Sequence, residues 1–530
     1  MILNRFGSWK YVSSLLAGKN LTQKAYLNAM AEGLDYAARV IVGFIVTPFL
    51  VAGLGDSLYG IWRAVGSLTG YITAASGRPS QTLKYTLANL QSSVDYEEKR
   101  RQVATAVVVW LLFSPLLTAV GAVVTWYAPI WIKGVPPELY WVVRVATGIL
   151  VAEMVLTTLV YLPQSILEGE NLGYTRMGLS AMLVVLDGTL TILALYLHTG
   201  LVGVAVASLI IILLRGLLYY FVVRNNISWF GMSKPSREAV KSFFSLSWWF
   251  LAWRLVSQAM MASDLVILGI FASGELVTRY SLTKYAPETL INLVAIVVFG
   301  STPGLGGIIG KKDFGKAARI RSEIMILTWL VCTSIGVTIL LWNHSLIRLW
   351  VGDQRYAGSW PNLLILVSVC QFVLIRSDAN IIDLTLDLTQ KVLIGLLSAA
   401  ISVIASAALI KFFDLGIIGL VLGVMLGRSI LSFVYPIMIG RFLGIGFSSQ
   451  WKGVIQPIFI SAVLFLGATW LENMAFMQRT TQHVSWIGLA PLVGITALIA
   501  AALAFGTGLN GRQQGLIINR VRAALDLAER

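Results

Sequence analysis

The chain has 530 residues, of which 57% are hydrophobic and only 12% are charged, and its net charge is +15. A soluble globular domain has about 25% charged residues, so this composition excludes a soluble protein. Apolar stretches of about 20 residues, the length that a membrane-spanning helix needs, recur along the chain and predict an all-α polytopic membrane protein. We therefore attribute the positive charge to loops at the membrane surface and not to nucleic-acid binding.

The chain begins with a basic segment, residues 1–34, that lacks the apolar core of about 7–15 residues found in a signal peptide. We predict that this segment is a cytosolic amphipathic helix on the membrane surface. Fourteen apolar segments follow. They cover residues 35–54, 58–90, 103–127, 138–162, 176–197, 200–223, 242–272, 275–309, 322–342, 360–386, 391–411, 415–440, 453–472 and 486–508. The second segment is predicted as one long helix that bends at Pro79, because proline removes a backbone hydrogen bond.

Basic residues concentrate in alternate junctions between these segments. The junctions are 95–101, 224–241 and 310–321, and both chain ends are basic as well. Cytosolic loops of membrane proteins carry an excess of Lys and Arg, so we predict that both termini lie in the cytosol and that the protein resides in the cytoplasmic (inner) membrane. The junctions are short, and we expect no soluble domain between the helices.

A weak internal repeat divides the helices into two sets of six. Asp95-Tyr96 and Asp313-Phe314 follow the second and the eighth segments and lie 218 residues apart. Because six is even, both copies have the same orientation, and parallel repeats in transporters place the substrate site between the halves. The predicted organisation is a lobe of residues 35–224, a linker of residues 225–241, a lobe of residues 242–441, two additional helices in residues 442–508 and a cytosolic tail of residues 509–530.

Three short motifs resemble those of the O-antigen and polysaccharide exporters. They are "TPFLVAGLGDSLYGIW" at 47–62, "SDLVILGIFASGELVTRYSL" at 263–282 and "KKDFGKAAR" at 311–319. These exporters belong to the MATE-like (MOP) superfamily, which also includes multidrug extruders and the lipid II flippase. The second segment departs from the family, since "AASGRPS" replaces its aspartate-glycine pair. The resemblance implies a two-lobed helical bundle with alternating access and a cargo made of a sugar chain on polyprenyl pyrophosphate.

Charged residues inside the predicted spans are the candidate functional groups. A charge at the bilayer centre costs about 2.5–3.5 kcal/mol on insertion scales, so these side chains are expected to face protein, a partner charge or water. Polar residues also recur every three or four positions on segments two, seven and eight, which indicates helix–helix hydrogen bonding or a water-filled cavity. We predict a cationic cavity for the diphosphate, since arginine can make two hydrogen bonds to phosphate oxygens. Its predicted substrate-binding residues are Arg78, Arg254, Lys284, Arg63, Arg279, Thr82, Tyr85, Asn89 and Gln258.

Three acids are candidates for coupling transport to a proton or sodium gradient. Asp264, Asp378 and Glu288 all fall within predicted spans. The structural alternative is that Glu288 only pairs with Lys284, four residues before it on the same helix face. For the two aspartates, the alternative is pairing with an arginine such as Arg376 or Arg39. Lys84, by contrast, is expected to reach the inner interface as a snorkelling anchor.

The remaining features disfavour enzymatic functions. The three histidines are scattered and Cys332 and Cys370 lie in apolar runs, so no metal site, disulfide framework or other cofactor is expected. No G-x-x-x-x-G-K-S/T loop is present, which argues against direct use of ATP. A membrane glycosyltransferase or ligase is disfavoured by the short outer loops. A lipid II flippase and a multidrug or cation antiporter stay open as alternatives. The expected partners are the lipid-linked oligosaccharide and membrane lipids, with enzymes of polysaccharide synthesis as further candidates.

Overall fold

A computed structural model describes most of the chain. It covers residues 21–74, 79–90, 93–170, 172–176, 178–310, 313–383, 388–446, 450 and 454–518. In these residues the chain is helical, with short 3-10 turns and no β-strand. The helices are α1 (Leu21–Ala74), α2 (Pro79–Asn89), α3 (Tyr96–Trp131), α4 (Tyr140–Val160), α5 (Leu162–Gly169), α6 (Leu179–Tyr196), α7 (Gly200–Asn226), α8 (Arg237–Phe271), α9 (Gly274–Gly310), α10 (Phe314–Trp350), α11 (Ser359–Asp383), α12 (Leu388–Phe413), α13 (Gly416–Leu443), α14 (Ile455–Glu472), α15 (Ala475–His483) and α16 (Trp486–Gly508).

The predicted all-α membrane protein is confirmed. Eleven helical stretches in the described residues are long and apolar enough to cross a membrane. The first of them, Gly33–Gly70, contains the first predicted segment and the beginning of the second, because the chain turns sharply at Gly55, where φ is 74°. Glycine suits this turn, since a side chain is strained at positive φ. Helices α8 and α9 cover predicted segments seven and eight, so each of the fourteen predicted segments has a helix at its place.

The second predicted segment needs a correction. It was expected to be one helix over 58–90 with a bend, but α1 ends at Ala74 and a separate helix begins at Pro79. Proline is well suited to the first turn of a helix, because the backbone N–H that it lacks would have no partner there. Pro79 therefore begins a helix and does not bend one. Residues 75–78, including Arg78, lie outside the described part of the chain.

The chain separates into two compact units, Met1–Ala262 and Ser263–Arg530. The predicted lobe boundaries and the 225–241 linker stay a prediction. The repeated Asp-aromatic motif has the same local structure in both units. Asp95 accepts a hydrogen bond from Glu98 N at 3.0 Å at the start of α3, and Asp313 accepts one from Lys316 N at 3.1 Å at the start of α10. Each aspartate is thus an N-cap, which satisfies a helix N–H group that has no partner within the helix.

In the first unit, α2 packs between α3 and α5. Leu83 and Leu87 of α2 are fully buried and join the same apolar cluster as Phe113 of α3 and Ile166 of α5. The two faces of α2 therefore differ in polarity, since the face opposite this apolar one carries polar residues. Burial of this apolar side positions α2 and fixes where those polar residues lie.

In the second unit, α12 and α13 form an antiparallel hairpin held by a ladder of serine hydroxyls. Ser398, Ser402 and Ser406 donate to backbone carbonyls of α13, the oxygens of Gly427, Val424 and Leu420, at 2.9, 3.3 and 2.9 Å. The helices approach so closely that an added Cβ at Gly427 would lie 2.1 Å from Ser402 Oγ. Small residues allow such close contact between membrane helices, and interhelical hydrogen bonds stabilise it.

The last two membrane helices, α14 and α16, pack against α10. Trp329 Nε1 of α10 donates to Ser461 Oγ of α14 at 2.8 Å, and Trp342 Nε1 donates to Thr496 Oγ1 of α16 at 3.2 Å. An added Cβ at Gly508 would lie 2.2 Å from the Trp329 ring. The two additional C-terminal helices are thus fastened to one helix by aromatic side chains and hydrogen bonds.

Candidate functional site

A buried charge cluster in the second unit joins α8 to α9. Asp264 of α8 is only 4% exposed. Its Oδ2 accepts hydrogen bonds from Lys284 Nζ and from Tyr280 Oη of α9, each at 2.5 Å. Lys284 Nζ also lies 3.1 Å from Glu288 Oε1, one helical turn further along α9. Lys284, a predicted substrate-binding residue, therefore contacts two of the predicted ion-coupling acids at once.

These contacts resolve the pairings that the sequence left open. The pair between Lys284 and Glu288 does form. The suggestion that Asp264 pairs with Arg376 or Arg39 is wrong, because its partner is Lys284. The helical hairpin of α8 and α9 brings Asp264 and Lys284 together although they are 20 positions apart. Sequence spacing reveals pairs within one helix and does not reveal this one.

The polar face of α9 changes from buried to exposed along the helix. Tyr280 and Lys284 are buried, the side chain of Glu288 is 43% exposed, and Asn292 is exposed. Glu288 is therefore the most exposed acid of this cluster, whereas Lys284 is covered.

Arg428 of α13 adds a second buried cation near Asp264. It is 7% exposed, and its charge acts on Asp264 and Tyr280. Its Nη1 donates to the Ser368 hydroxyl at 3.0 Å, and its guanidinium lies 4.9 Å from the centre of the Phe372 ring. Sequence reasoning missed Arg428, although an arginine in the middle of a 28-residue apolar helix is a signal that could have found it.

The third ion-coupling candidate, Asp378 of α11, is held by Arg321 of α10. Arg321 Nε lies 2.9 Å from Oδ1 and Nη2 lies 2.9 Å from Oδ2, so the pair is bidentate. Both residues are buried, and Arg321 Nη1 also donates to Gln450 Oε1 at 2.9 Å. The structural alternative, pairing with an arginine, is therefore confirmed for Asp378, although the arginine is Arg321 and not Arg376 or Arg39. Arg321 had been assigned to a cytosolic junction, and its helix in fact begins seven residues earlier, at Phe314.

A second buried charge network lies in the first unit. Arg176 Nη1 is 2.8 Å from Asp35 Oδ2, and Nη2 is 3.2 Å from Glu168 Oε1. Lys84 Nζ of α2 lies 2.8 Å from Glu168 Oε2. The ammonium group of Lys84 thus pairs with a protein carboxylate, and its expected position at the inner interface stays a prediction. Arg176 and Glu168 were overlooked because they border the predicted spans.

The other predicted substrate-binding residues differ in how far they are buried, and the cationic cavity stays a prediction. Thr82 is fully buried, and Arg279 is exposed. Gln258 of α8 lies close to α1, since an added Cβ at Gly70 would be 2.6 Å from its Nε2. Arg63 is half-buried, and its buried Nε has no hydrogen-bond partner among the described residues. The side chains of Arg254, Tyr85 and Asn89, together with all of Arg78, lie outside the described part of the chain.

A separate polar cluster lies at the junction between α10 and α11. Tyr356 Oη donates to Glu472 Oε1 at the end of α14 at 2.6 Å. The Tyr356 ring stacks on His344 with centroids 4.5 Å apart, and His344 Nε2 lies 2.7 Å from Asp353 Oδ1. Burial, together with the nearby Glu472 carboxylate, raises the pKa of Tyr356 well above its usual range. The phenol therefore stays neutral and acts as a hydrogen-bond donor. In the residues that the structure covers, no cluster of His, Cys, Asp and Glu has the arrangement of a metal site.

Comparison with known proteins supports the resemblance seen in the motifs. No family model matches the chain. A curated relative, the putative O-antigen transporter of Shigella flexneri, is 24% identical over 353 residues, which is 64% of this chain and 80% of the relative. The resemblance to O-antigen exporters of the MOP superfamily is confirmed by this match together with the solved structures.

Solved structures show which fold the helices adopt. The lipid II flippase MurJ, in an inward closed conformation, is similar with a TM-score of 0.64 and 13% identity, over 90% of this chain and 99% of that one. An inward-facing multidrug resistance transporter of the MATE family is similar with a TM-score of 0.61 and 14% identity, over 77% of this chain and 94% of that one. At these identities the likeness concerns the fold, which the chain shares with these two transporters.

Proposed function

We propose that this chain is a flippase that moves a lipid-linked oligosaccharide, built on polyprenyl pyrophosphate, across the cytoplasmic membrane by alternating access. The observation that carries the proposal is the match to the putative O-antigen transporter over 80% of that relative. The fold supports it, because the lipid II flippase covers 90% of this chain whereas the multidrug transporter covers 77%. The three proteins are named as transporters or as a flippase, and no enzymatic step is proposed.

The buried cluster supplies a chemical basis for recognising a diphosphate. Lys284 is held by Asp264 and Glu288 in this conformation. A phosphate oxygen is a stronger competitor for an ammonium group than water is, because a charge-assisted hydrogen bond contributes about 1.5–3 kcal/mol. We infer that Lys284 exchanges one carboxylate for the cargo's diphosphate during transport. Arg63 fits the same role, since its Nε has no partner among the described residues.

Glu288 is the acid that we assign to ion coupling. Asp378 is engaged by the two nitrogens of Arg321, and Asp264 is engaged by Lys284 and Tyr280. Among the residues that the structure describes, Glu288 is contacted by Lys284 alone, and its side chain is 43% exposed. Protonation of Glu288 weakens its hold on Lys284, which links the arrival of a proton to the release of the lysine for the cargo.

The function is tested with purified protein in liposomes. The probe is a polyprenyl-pyrophosphate oligosaccharide with a fluorophore on the sugar, and a membrane-impermeant reductant reports which leaflet holds it. The expected result is reduction of the whole probe pool in vesicles with the protein and of only the outer-leaflet pool in vesicles without it. Glu288→Gln should retain binding but lose the response of exchange to an imposed pH gradient.

Three outcomes contradict the proposal. Export of organic cations without exchange of the probe would identify a multidrug antiporter. Selective exchange of lipid II over other lipid-linked saccharides would identify a lipid II flippase. Chemical turnover of the lipid-linked sugar in detergent, where transport cannot occur, would identify an enzyme.

A further inference from the structure

A groove in the first unit combines basic and apolar side chains at the start of α8. It has a volume of about 610 Å³. The residues that line it come from α3 and from the chain around the start of α8. They are Leu112, Pro235, Ser236, Arg237, Val240, Lys241 and Phe244.

Hydrogen bonds and ring stacking hold the walls of the groove in place. Ser236 Oγ accepts a hydrogen bond from Ala239 N at 3.1 Å and thereby caps α8. The segment before it is tied to α3, because Ser233 Oγ donates to Glu97 Oε2 at 2.8 Å. Phe244 stacks on Phe113 with ring centroids 5.1 Å apart. These contacts fix the positions of the residues that form the groove walls.

The basic end of the groove carries two cations, Arg237 and Lys241. Arg237 and Lys241 are four positions apart and lie on one face of α8. Both are exposed, and within the described residues neither forms an ion pair. They begin the helix that follows the basic junction 224–241, which we predict to be cytosolic. An anion in front of these two side chains would also meet the positive end of the helix dipole.

The opposite end of the groove is apolar and open. Leu112 is 56% exposed and Phe244 is 38% exposed. Phe244 lies seven residues beyond Arg237, which is about 10 Å along a helix. This distance takes the groove from the level of the headgroups into the acyl region of one leaflet.

We propose that this groove binds an anionic phospholipid of the cytosolic leaflet. The phosphate group contacts Arg237 and Lys241, and an acyl chain lies against Leu112 and Phe244. The charge of the groove favours an anionic headgroup over a zwitterionic one, and its shape favours a molecule with a polar and an apolar end. This site is independent of the proposed transport function, although it rests on the predicted cytosolic orientation of the 224–241 junction.

The test uses the full chain in detergent and two lipid probes, phosphatidylglycerol and phosphatidylcholine. Native mass spectrometry measures how many molecules of each stay bound. A variant with Arg237→Ala and Lys241→Ala should lose affinity for phosphatidylglycerol by about 10- to 30-fold. The reason is that each of the two cations contributes separately to the attraction of an anionic lipid, and the variant lacks both. The matched control carries Arg224→Ala and Lys234→Ala, which remove the same charge from exposed positions outside the groove.

The control variant should bind phosphatidylglycerol as the wild type does. A second variant, Leu112→Trp, fills the apolar end of the groove and should weaken the binding of phosphatidylglycerol without changing the charge of the protein. Equal loss in the two charge variants would overturn the site, since it would reveal a general effect of positive charge. Competition by inorganic phosphate as strong as that of the lipid, or equal retention of phosphatidylcholine, would overturn the assignment to an anionic lipid.

Discussion

The pair between Lys284 and Asp264 allows a structural role to be separated from a role in transport. Lys284→Met removes the cation and leaves Asp264 buried without its partner. Asp264→Asn does the reverse. The double variant removes both charges while keeping side chains of similar size. We expect the double variant to be stable but inactive, because Lys284 is proposed to bind the diphosphate.

The contacts of Lys284 and Asp264 determine how large the expected changes in stability and in cargo affinity are. Breaking a buried ion pair by removing one partner costs about 3–5 kcal/mol, whereas replacing both partners by neutral residues is often neutral or stabilising by about 1–4 kcal/mol. Each single variant should therefore unfold more readily than the double variant. Loss of one charge-assisted hydrogen bond to the cargo, about 1.5–3 kcal/mol, corresponds to a decrease in cargo affinity of roughly 10- to 100-fold.

Two measurements on the same proteins complete the test. Thermal unfolding in detergent reports stability, and the liposome assay reports exchange of the lipid-linked probe. Lys411→Met is the matched control, because Lys411 is an exposed lysine near the end of α12 in the same unit. If the double variant transports at the wild-type rate, Lys284 has only a structural role and the proposed exchange with cargo is refuted.

Two further predictions concern the other ion pairs and the junction cluster. Asp378→Asn should lower the free energy of unfolding by about 3–5 kcal/mol, because Arg321 is left buried without its partner. Asp353→Asn, at an exposed carboxylate, should change the free energy of unfolding little. Equal thermal midpoints for the two variants would contradict the buried pairing. For Tyr356, burial and the nearby Glu472 raise the pKa above the ordinary tyrosine value of about 10, so the neutral phenol contributes stability that is present below about pH 10 and is lost as pH rises through the higher folded pKa. The midpoint temperature of thermal unfolding of the wild type should therefore fall toward that of Tyr356→Phe above about pH 10. A constant difference between the two midpoints at all pH values would refute the linkage.

The fold was accessible from the sequence because its determinants are local. A run of about 20 apolar residues specifies a membrane helix whatever the rest of the chain does. The turn at Gly55 and the N-caps at Asp95 and Asp313 are likewise set within a few residues. The start of a helix at Pro79 is also local, and it was misjudged because proline in a long span suggests a bend as readily as a start.

The charge pairs could be predicted only in part. Lys284 and Glu288 share one helix face, and their contact follows from spacing alone. The partners of Asp264 and Asp378 depend on which helices become neighbours, and a single sequence does not contain that information. Arg321 and Asp378 are 57 positions apart, so no periodicity connects them. Arg176 was missed for another reason, since its burial is caused by packing at the edge of a span and not by the hydropathy of the residues around it.

The serine ladder between α12 and α13 has a consequence for the motion of the second unit. One of its hydrogen bonds, from Ser398 Oγ to the Gly427 carbonyl, holds the backbone of α13 next to Arg428. The base of the arginine side chain is therefore anchored to two helices that slide past each other only by breaking three hydrogen bonds together. We therefore expect Arg428 to keep its place relative to α12 and α13 during transport, while Lys284, the residue proposed to exchange a carboxylate for the cargo, changes its contacts.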